Sequence, residues 1–211
     1  MNDFLMQDEQ DPMERFLGVV VGVVTDNKDP KNLGRVKLKF PWWADKGESN
    51  WAPIASFMSG KNFGGYFLPD KGDNVLVAFM NGNIKNPFVL GAIWNTKFKT
   101  PEKNSDGKNN VRLIKSRSGH QLIFDDKKGS EKIEIIDKTN KNKITIDSKS
   151  NKITISSNKD LELVAKGKVS ISGSNIEMKA TKGSATLQSK TAMTVKSSGA
   201  MTVKGKVVKI N

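Results

Sequence analysis

The chain is 211 residues long, 36% apolar and 27% charged, with 35 Lys and Arg against 22 Asp and Glu for a net charge of +13. That length suits one large domain or two small ones, and no run approaches the roughly 18 apolar residues of a membrane-spanning helix. The absence of cysteine excludes disulfides and thiol chemistry.

Residues 1–14 form an acidic leader with five acids and no base. A secretory signal would begin with positive charge and end at a small-residue cleavage site, so the expectation is assembly in the cytoplasm without a signal peptide. Residues 15–107 carry a net +5 and residues 108–211 a net +13. A basic pole suggests an anionic partner such as nucleic acid, lipid headgroups or cell-wall polymer. The lysines are spread evenly, however, which is how strands keep their solvent faces and edges from aggregating.

"FLGVVVGVVT" (16–25) reads as a first strand and "DNKDPKNLG" (26–34) as a turn. In "RVKLKF" (35–40), Val36, Leu38 and Phe40 alternate with Arg35, Lys37 and Lys39, the period of a half-buried strand. "NWAPIASF" (50–57) reads as a third strand, and "NVLVAFM" (74–80) and "PFVLGAIW" (87–94) as two more. "NGNIKN" (81–86) between the last two opens with a hairpin signal. Five strands without helical periodicity predict a five-stranded OB-type barrel over 15–100.

Composition changes near residue 101. All seven prolines lie at or before Pro101, all four tryptophans lie between Trp42 and Trp94, and no aromatic residue follows Phe124. A linker is expected over 101–112, followed by a second domain over 113–211. There, apolar pairs at i and i+2 recur from Ile133/Ile135 to Val208/Ile210, settling into steps of seven to nine residues. "TAMTVKSSGAMTVKGK" (191–206) repeats one such octad almost verbatim. Arrays imply stacking, and eight residues hold one strand and one turn, too little to bury an apolar side alone.

A single-chain solenoid would have a very thin core, and an antiparallel meander would leave one apolar face uncovered. Three chains wound about one axis solve both problems, because neighbours supply the strands above and below and hide the backbone edges. The narrow interior suits Ile, Val, Met and Ala. The expected trimer core is Ile144, Ile146, Ile153, Ile155, Val169, Ile171, Val195 and Val203. Ten strands spaced about 4.8 Å apart would make a rod roughly 50 Å long.

"DPKNLGRVKLKFPWW" (29–43), "SNWAPIA" (49–55), "GYFLPDKGDNVLVAFMNGN" (65–83) and "NPFVLGAIWN" (86–95) resemble the OB-fold of contractile-tail spike proteins, the family of phage baseplate assembly protein V and the VgrG spike. "IKSRSGHQLIFDDKKGSEKIEI" (114–135) and the array resemble that family's transition into a trimeric β-helix. The resemblance implies an all-β homotrimer, an OB-fold followed by an intertwined triple-stranded β-helix, in a phage tail or tail-like particle. It implies a spike that joins a tail hub at the barrel end and pierces the target membrane when the sheath contracts, with no catalytic step and no cofactor.

Two departures matter. Some relatives end in His-x-His, which binds iron at the apex, whereas the single histidine here is His120. The resemblance then implies a separate PAAR-type tip protein seated near Val208, Ile210 and Asn211. The hub domains of VgrG do not fit in 211 residues, so the hub is expected as a separate protein, with the acidic leader as one possible docking segment.

Other features read as structure. Asp125-Asp126 precedes Lys-Lys-Gly and suits a solvated hairpin turn better than a metal or acid/base pair. His120 lacks a neighbouring acid or nucleophile. "GKNFGG" (60–65) lacks the ending of a phosphate loop. Trp42, Trp43 and Trp51 suit either core packing or base stacking. The runner-up function is therefore a basic OB-fold module binding single-stranded nucleic acid, with the array as an oligomerising stalk; the preferred spike reading expects no nucleic acid.

Overall fold

The computed structural model describes residues 15–210, with no side-chain description for 44–46. The acidic leader and Asn211 lie outside the described residues. The chain divides into two compact units, one ending at Asn158 and the other beginning at Lys159.

The first unit opens with a valine-rich strand, β1 (Val19–Asp26), flanked by β2 (Lys37–Lys39) and β5 (Asn74–Phe79), with β6 (Pro87–Ala92) beyond. All neighbours are antiparallel, and a bulge between Leu76 and Val77 bends the β5–β6 pair. Val24, Leu38, Phe40, Val75, Val77 and Val89 form the core, where Val36, Leu38 and Phe40 are at most 1% exposed. Complete burial contributes about 1.5–3 kcal/mol for each such side chain. The alternation expected over 35–40 is therefore the packing that holds the barrel.

The strand expected over 50–57 is reduced to isolated bridges. Val36 N–H donates to Ala52 O at 3.0 Å and Ala52 N–H returns a bond at 2.8 Å, while Val89 N–H donates to Pro53 O and Ala55 N–H to Val89 O. This segment thus joins the two edges of the sheet, β2 and β6, and closes it. Pro53 has no N–H to offer a continuous ladder, so a closing stave forms without becoming a full strand. Between it and β5 stands a short hairpin, β3 (Ser59–Gly60) with β4 (Phe63–Gly64), that the sequence did not lead us to expect.

A second sheet follows: β7 (Val111–Lys115), β8 (Gln121–Asp125), β9 (Lys132–Ile136), β10 (Lys143–Asp147) and β11 (Lys152–Ser156), in sequential antiparallel order. It starts inside the expected linker. Residues 113–156, expected to belong to the intertwined rod, instead pair strand by strand within one chain. The reason lies in their connections, which are long enough to reverse the chain. Arg117 Nη1 donates to Asp70 at 2.9 Å and ties the first of these reversals to the barrel.

The second unit contains no strand among its described residues. Its backbone consists of extended segments separated by bends at 166–167, 174, 181–183, 190–191, 198–199 and 206–207, one every eight residues. The octad of the sequence is thus a corner and a straight run.

Candidate assembly surfaces

The loop 29–35 is built around Asp29, which is buried. Its Oδ2 accepts from Leu33 N–H at 3.0 Å and Arg35 Nε at 2.8 Å; its Oδ1 accepts from Lys31 N–H at 3.0 Å and Arg35 Nη2 at 2.7 Å. This bidentate pairing, with the backbone donors in support, holds the Asp29 carboxyl far below the ordinary aspartate range. The Arg35 guanidinium also lies over the Trp51 ring, 5.9 Å from its centroid, as does Lys37 Nζ.

Elsewhere on the barrel, Trp42 stacks on Phe16 at 5.6 Å and on Trp43 at 5.8 Å, and Phe40 packs against both tryptophans. The tryptophans considered for base stacking are therefore engaged by the barrel's own side chains. Asp125 Oδ1 accepts from Lys127 N–H at 3.0 Å and Asp126 pairs with Arg112, so the expected hairpin turn is what the two aspartates serve. His120 Nδ1 accepts from Lys138 N–H at 3.2 Å, a turn-to-turn contact.

The second sheet has two unlike faces. One is mixed and partly covered, with Leu113, Ile123 and Ile136 beside a polar cluster in which Lys132 Nζ lies 2.9 Å from Glu134 Oε2 and Thr145 Oγ1 donates to Glu134 Oε1 at 3.4 Å. The Glu134 carboxylate raises the Lys132 pKa. Registry places Leu122 and Phe124, Ile133 and Ile135, Ile144 and Ile146, and Ile153 and Ile155 in adjacent pairs on the other face, with Ile114 beside Leu122. Most of these nine side chains are exposed, Ile153 by 67%. Four of the expected core residues, Ile144, Ile146, Ile153 and Ile155, therefore share one bare apolar face.

The other four, Val169, Ile171, Val195 and Val203, lie in the bent array with Val208 and Ile210, and all are exposed. Every residue from Ser157 to Ile210 is exposed. The octad corners repeat in detail: Ser189 Oγ donates to Ala192 O at 2.8 Å, and eight residues on, Ser197 Oγ donates to Ala200 O at 3.4 Å. Rows of exposed apolar side chains on this scale mark an interaction surface.

An antiparallel barrel closed by a proline-containing stave, followed by a five-stranded sheet and an exposed, bent octad array, defines an all-β protein. Residues 20–94 match the family described as the type VI secretion system/phage-baseplate injector OB domain. The chain is similar to VgrG-like spike proteins: it is 33% identical over 135 residues to the type VI secretion system spike protein VgrG5 of Pseudomonas aeruginosa, covering 58% of this chain and 17% of that protein. It is 30% identical over 126 residues to the spike protein VgrG3 of Vibrio cholerae, 56% of this chain and 12% of that protein, and 27% identical over 128 residues to VgrG1a of Pseudomonas aeruginosa, 56% of this chain and 20% of that protein. The chain thus spans a fifth or less of the length of these relatives.

Proposed function

We propose that the chain is the central spike of a contractile injection machine: a homotrimer whose bare sheet faces turn inward to form a three-sided prism, and whose octad array winds into a rod that pierces the target envelope on contraction. The observation that carries this reading is the pairing of one uncovered apolar sheet face with an exposed array that forms no strand among its described residues. Ile144, Ile146, Ile153 and Ile155 form the upper rungs of the trimer core, and Val169, Ile171, Val195 and Val203 continue it. The barrel region, 15–100, joins a hub protein, and a PAAR-type partner sits against Val208 and Ile210. The spike touches the target membrane transiently and works mechanically, without a catalytic step.

Light scattering on the purified protein tests this. A trimer has three times the 23.2 kDa of the chain, and its mass should hold at high salt because apolar contacts are not screened. A stable monomer that binds single-stranded DNA, with affinity falling steeply as salt rises, would replace this reading with the nucleic-acid alternative.

A further inference from the structure

Between residues 108 and 211 lysine is spread evenly, but acid is not. Residues 108–158 hold twelve bases and six acids, residues 159–177 three of each, and residues 178–211 seven lysines with no acid at all. Lysines keep strand faces soluble and strand edges unpaired, yet a surface of mixed sign does this as well and with less self-repulsion. The first two stretches follow that pattern. In the third, charge of one sign accumulates without relief, and three copies around one axis would triple it. Solubility alone does not ask for that arrangement.

The placement within the octad is regular. Lys182, Lys190 and Lys206 share one octad position and fall at the bends 181–183, 190–191 and 206–207, while Lys196 and Lys204 share a second position just before a bend. Ala185/Leu187, Met193/Val195 and Met201/Val203 occupy the straight runs between them. Octads stacked in register would therefore set apolar side chains in some columns and lysines in others. Lys179 Nζ lies 4.0 Å from Glu177 Oε1, whereas the five lysines of the two rows and Lys209 form no ion pair with a described residue. All of them are exposed. Single-stranded nucleic acid is held by aromatic platforms as well as by charge, and no aromatic residue follows Phe124. A surface of lipid phosphates asks only for exposed lysines in number, which is what these residues present.

We propose that residues 178–209 form a docking surface for anionic lipid: the lysine rows meet headgroup phosphates while the apolar columns face the other copies. This rests on the spike reading and names the chemistry of its contact with the envelope. The test mixes the purified full chain with vesicles of phosphatidylcholine and phosphatidylglycerol, or of phosphatidylcholine alone, and floats them, with native mass followed by light scattering. Binding should need phosphatidylglycerol and fade as salt rises towards about 1 M, where the Debye length is about 3 Å. Lys182→Gln, Lys190→Gln and Lys206→Gln together should weaken it by about tenfold or more, and Lys115→Gln, Lys128→Gln and Lys141→Gln, which remove the same charge from the second sheet, by less than about twofold. Equal losses in the two triple variants would mean that net charge alone attracts, and would overturn the surface; equal binding to phosphatidylcholine alone would do the same. A trimer that binds inorganic polyphosphate or single-stranded DNA but neither vesicle assigns the lysines to a soluble polyanion and overturns the membrane. A trimer that binds none of these overturns the proposal and leaves the spike reading intact. A monomer overturns both.

Discussion

Residues 111–156 and 159–210 carry the same apolar pairs at i and i+2, yet the first stretch folds on itself and the second does not. The difference lies between the pairs. Reversals in the first stretch contain left-handed residues, Gly119, Gly129, Asn140 and Asn151, with φ of 104°, 77°, 59° and 50°. Side chains brace them: Asp137 Oδ1 accepts from Lys141 and Asn142 N–H, and Asp147 Oδ1 from Ser150 N–H. Beyond Asn151 no described residue has positive φ. A one- to three-residue bend turns a corner without reversing the chain, so each straight run leaves its neighbour and never meets it as a hairpin partner. Short repeats of this kind do not form hairpin ladders with their own neighbours, which is why the proposed function gives their completion to other copies.

If both stretches face one threefold axis, a charge inside either should break the assembly. Ile146→Asp and Val195→Asp each place three carboxylates on one rung, with a desolvation cost of several kcal/mol per ion. The measured mass should drop from three chains towards one in both variants, whereas Thr154→Asp, on the other sheet face, should keep the trimer. Loss of the trimer in only one of the two would divide the axis between the regions. A second contrast concerns the barrel, whose core is complete within one chain. Phe40→Ala should cost about 3–5 kcal/mol in a denaturation followed by fluorescence, with a midpoint independent of protein concentration. Trimer melting should shift with concentration.

The barrel was legible where valine runs and alternation were long: β1, β5, β6 and the buried trio Val36, Leu38 and Phe40 all follow from their pattern. The stave over 52–55 was legible in position and not in form, because Pro53 breaks the ladder without removing the bridges. The octad corners were legible almost to the residue, since spacing alone sets them. The point at which hairpins give way to bends was not, because Ile133/Ile135 and Ile153/Ile155 look like Ile176/Met178 when only apolar pairs are compared. The signal was in the length of the first connections, where the step from Ile133 to Ile144 is eleven residues and from Ile144 to Ile153 nine, against mostly seven or eight beyond. Two features carried no periodic signal at all: the glycine-rich hairpin 57–67, and the Asp29 clamp, whose partners lie two to six residues away inside a loop that reads simply as a turn.

The same distinction between turns and corners can be sharpened by substitution. Asn140→Val forces a β-branched residue into the left-handed region, at about 1–2 kcal/mol, and Asn140→Gly should restore the turn. Gly199 sits in a corner with no positive φ and nothing near its would-be Cβ, so Gly199→Ala should stay within about 0.5 kcal/mol. A large loss at Gly199 would mean that a neighbouring chain packs against the corner.

Acid should separate the two regions most gently. Asp29, Asp137 and Asp147 are all held below the ordinary aspartate value, Asp29 chiefly by Arg35 and Asp147 chiefly by the Ser150 N–H; at Asp137 burial acts upward and is outweighed by the Thr139 and Asn142 bonds. Unfolded aspartates titrate near about 3.9, so below that pH the unfolded chain binds more protons than the native one. Stability from these carboxylates is therefore complete above about pH 5 and is lost as pH falls through the lowered native values. Asp29 lies in the barrel, Asp137 and Asp147 lie in turns of the second sheet, and every tryptophan lies between Trp42 and Trp94, so fluorescence reports the barrel and with it Asp29, while native mass reports the assembly. At pH 3 the fluorescence midpoint should fall while the mass stays at three chains, and Asp29→Asn should flatten the acid slope. A mass that collapses together with the fluorescence would show that the array depends on the barrel for its trimer, and the two regions would then be one cooperative structure.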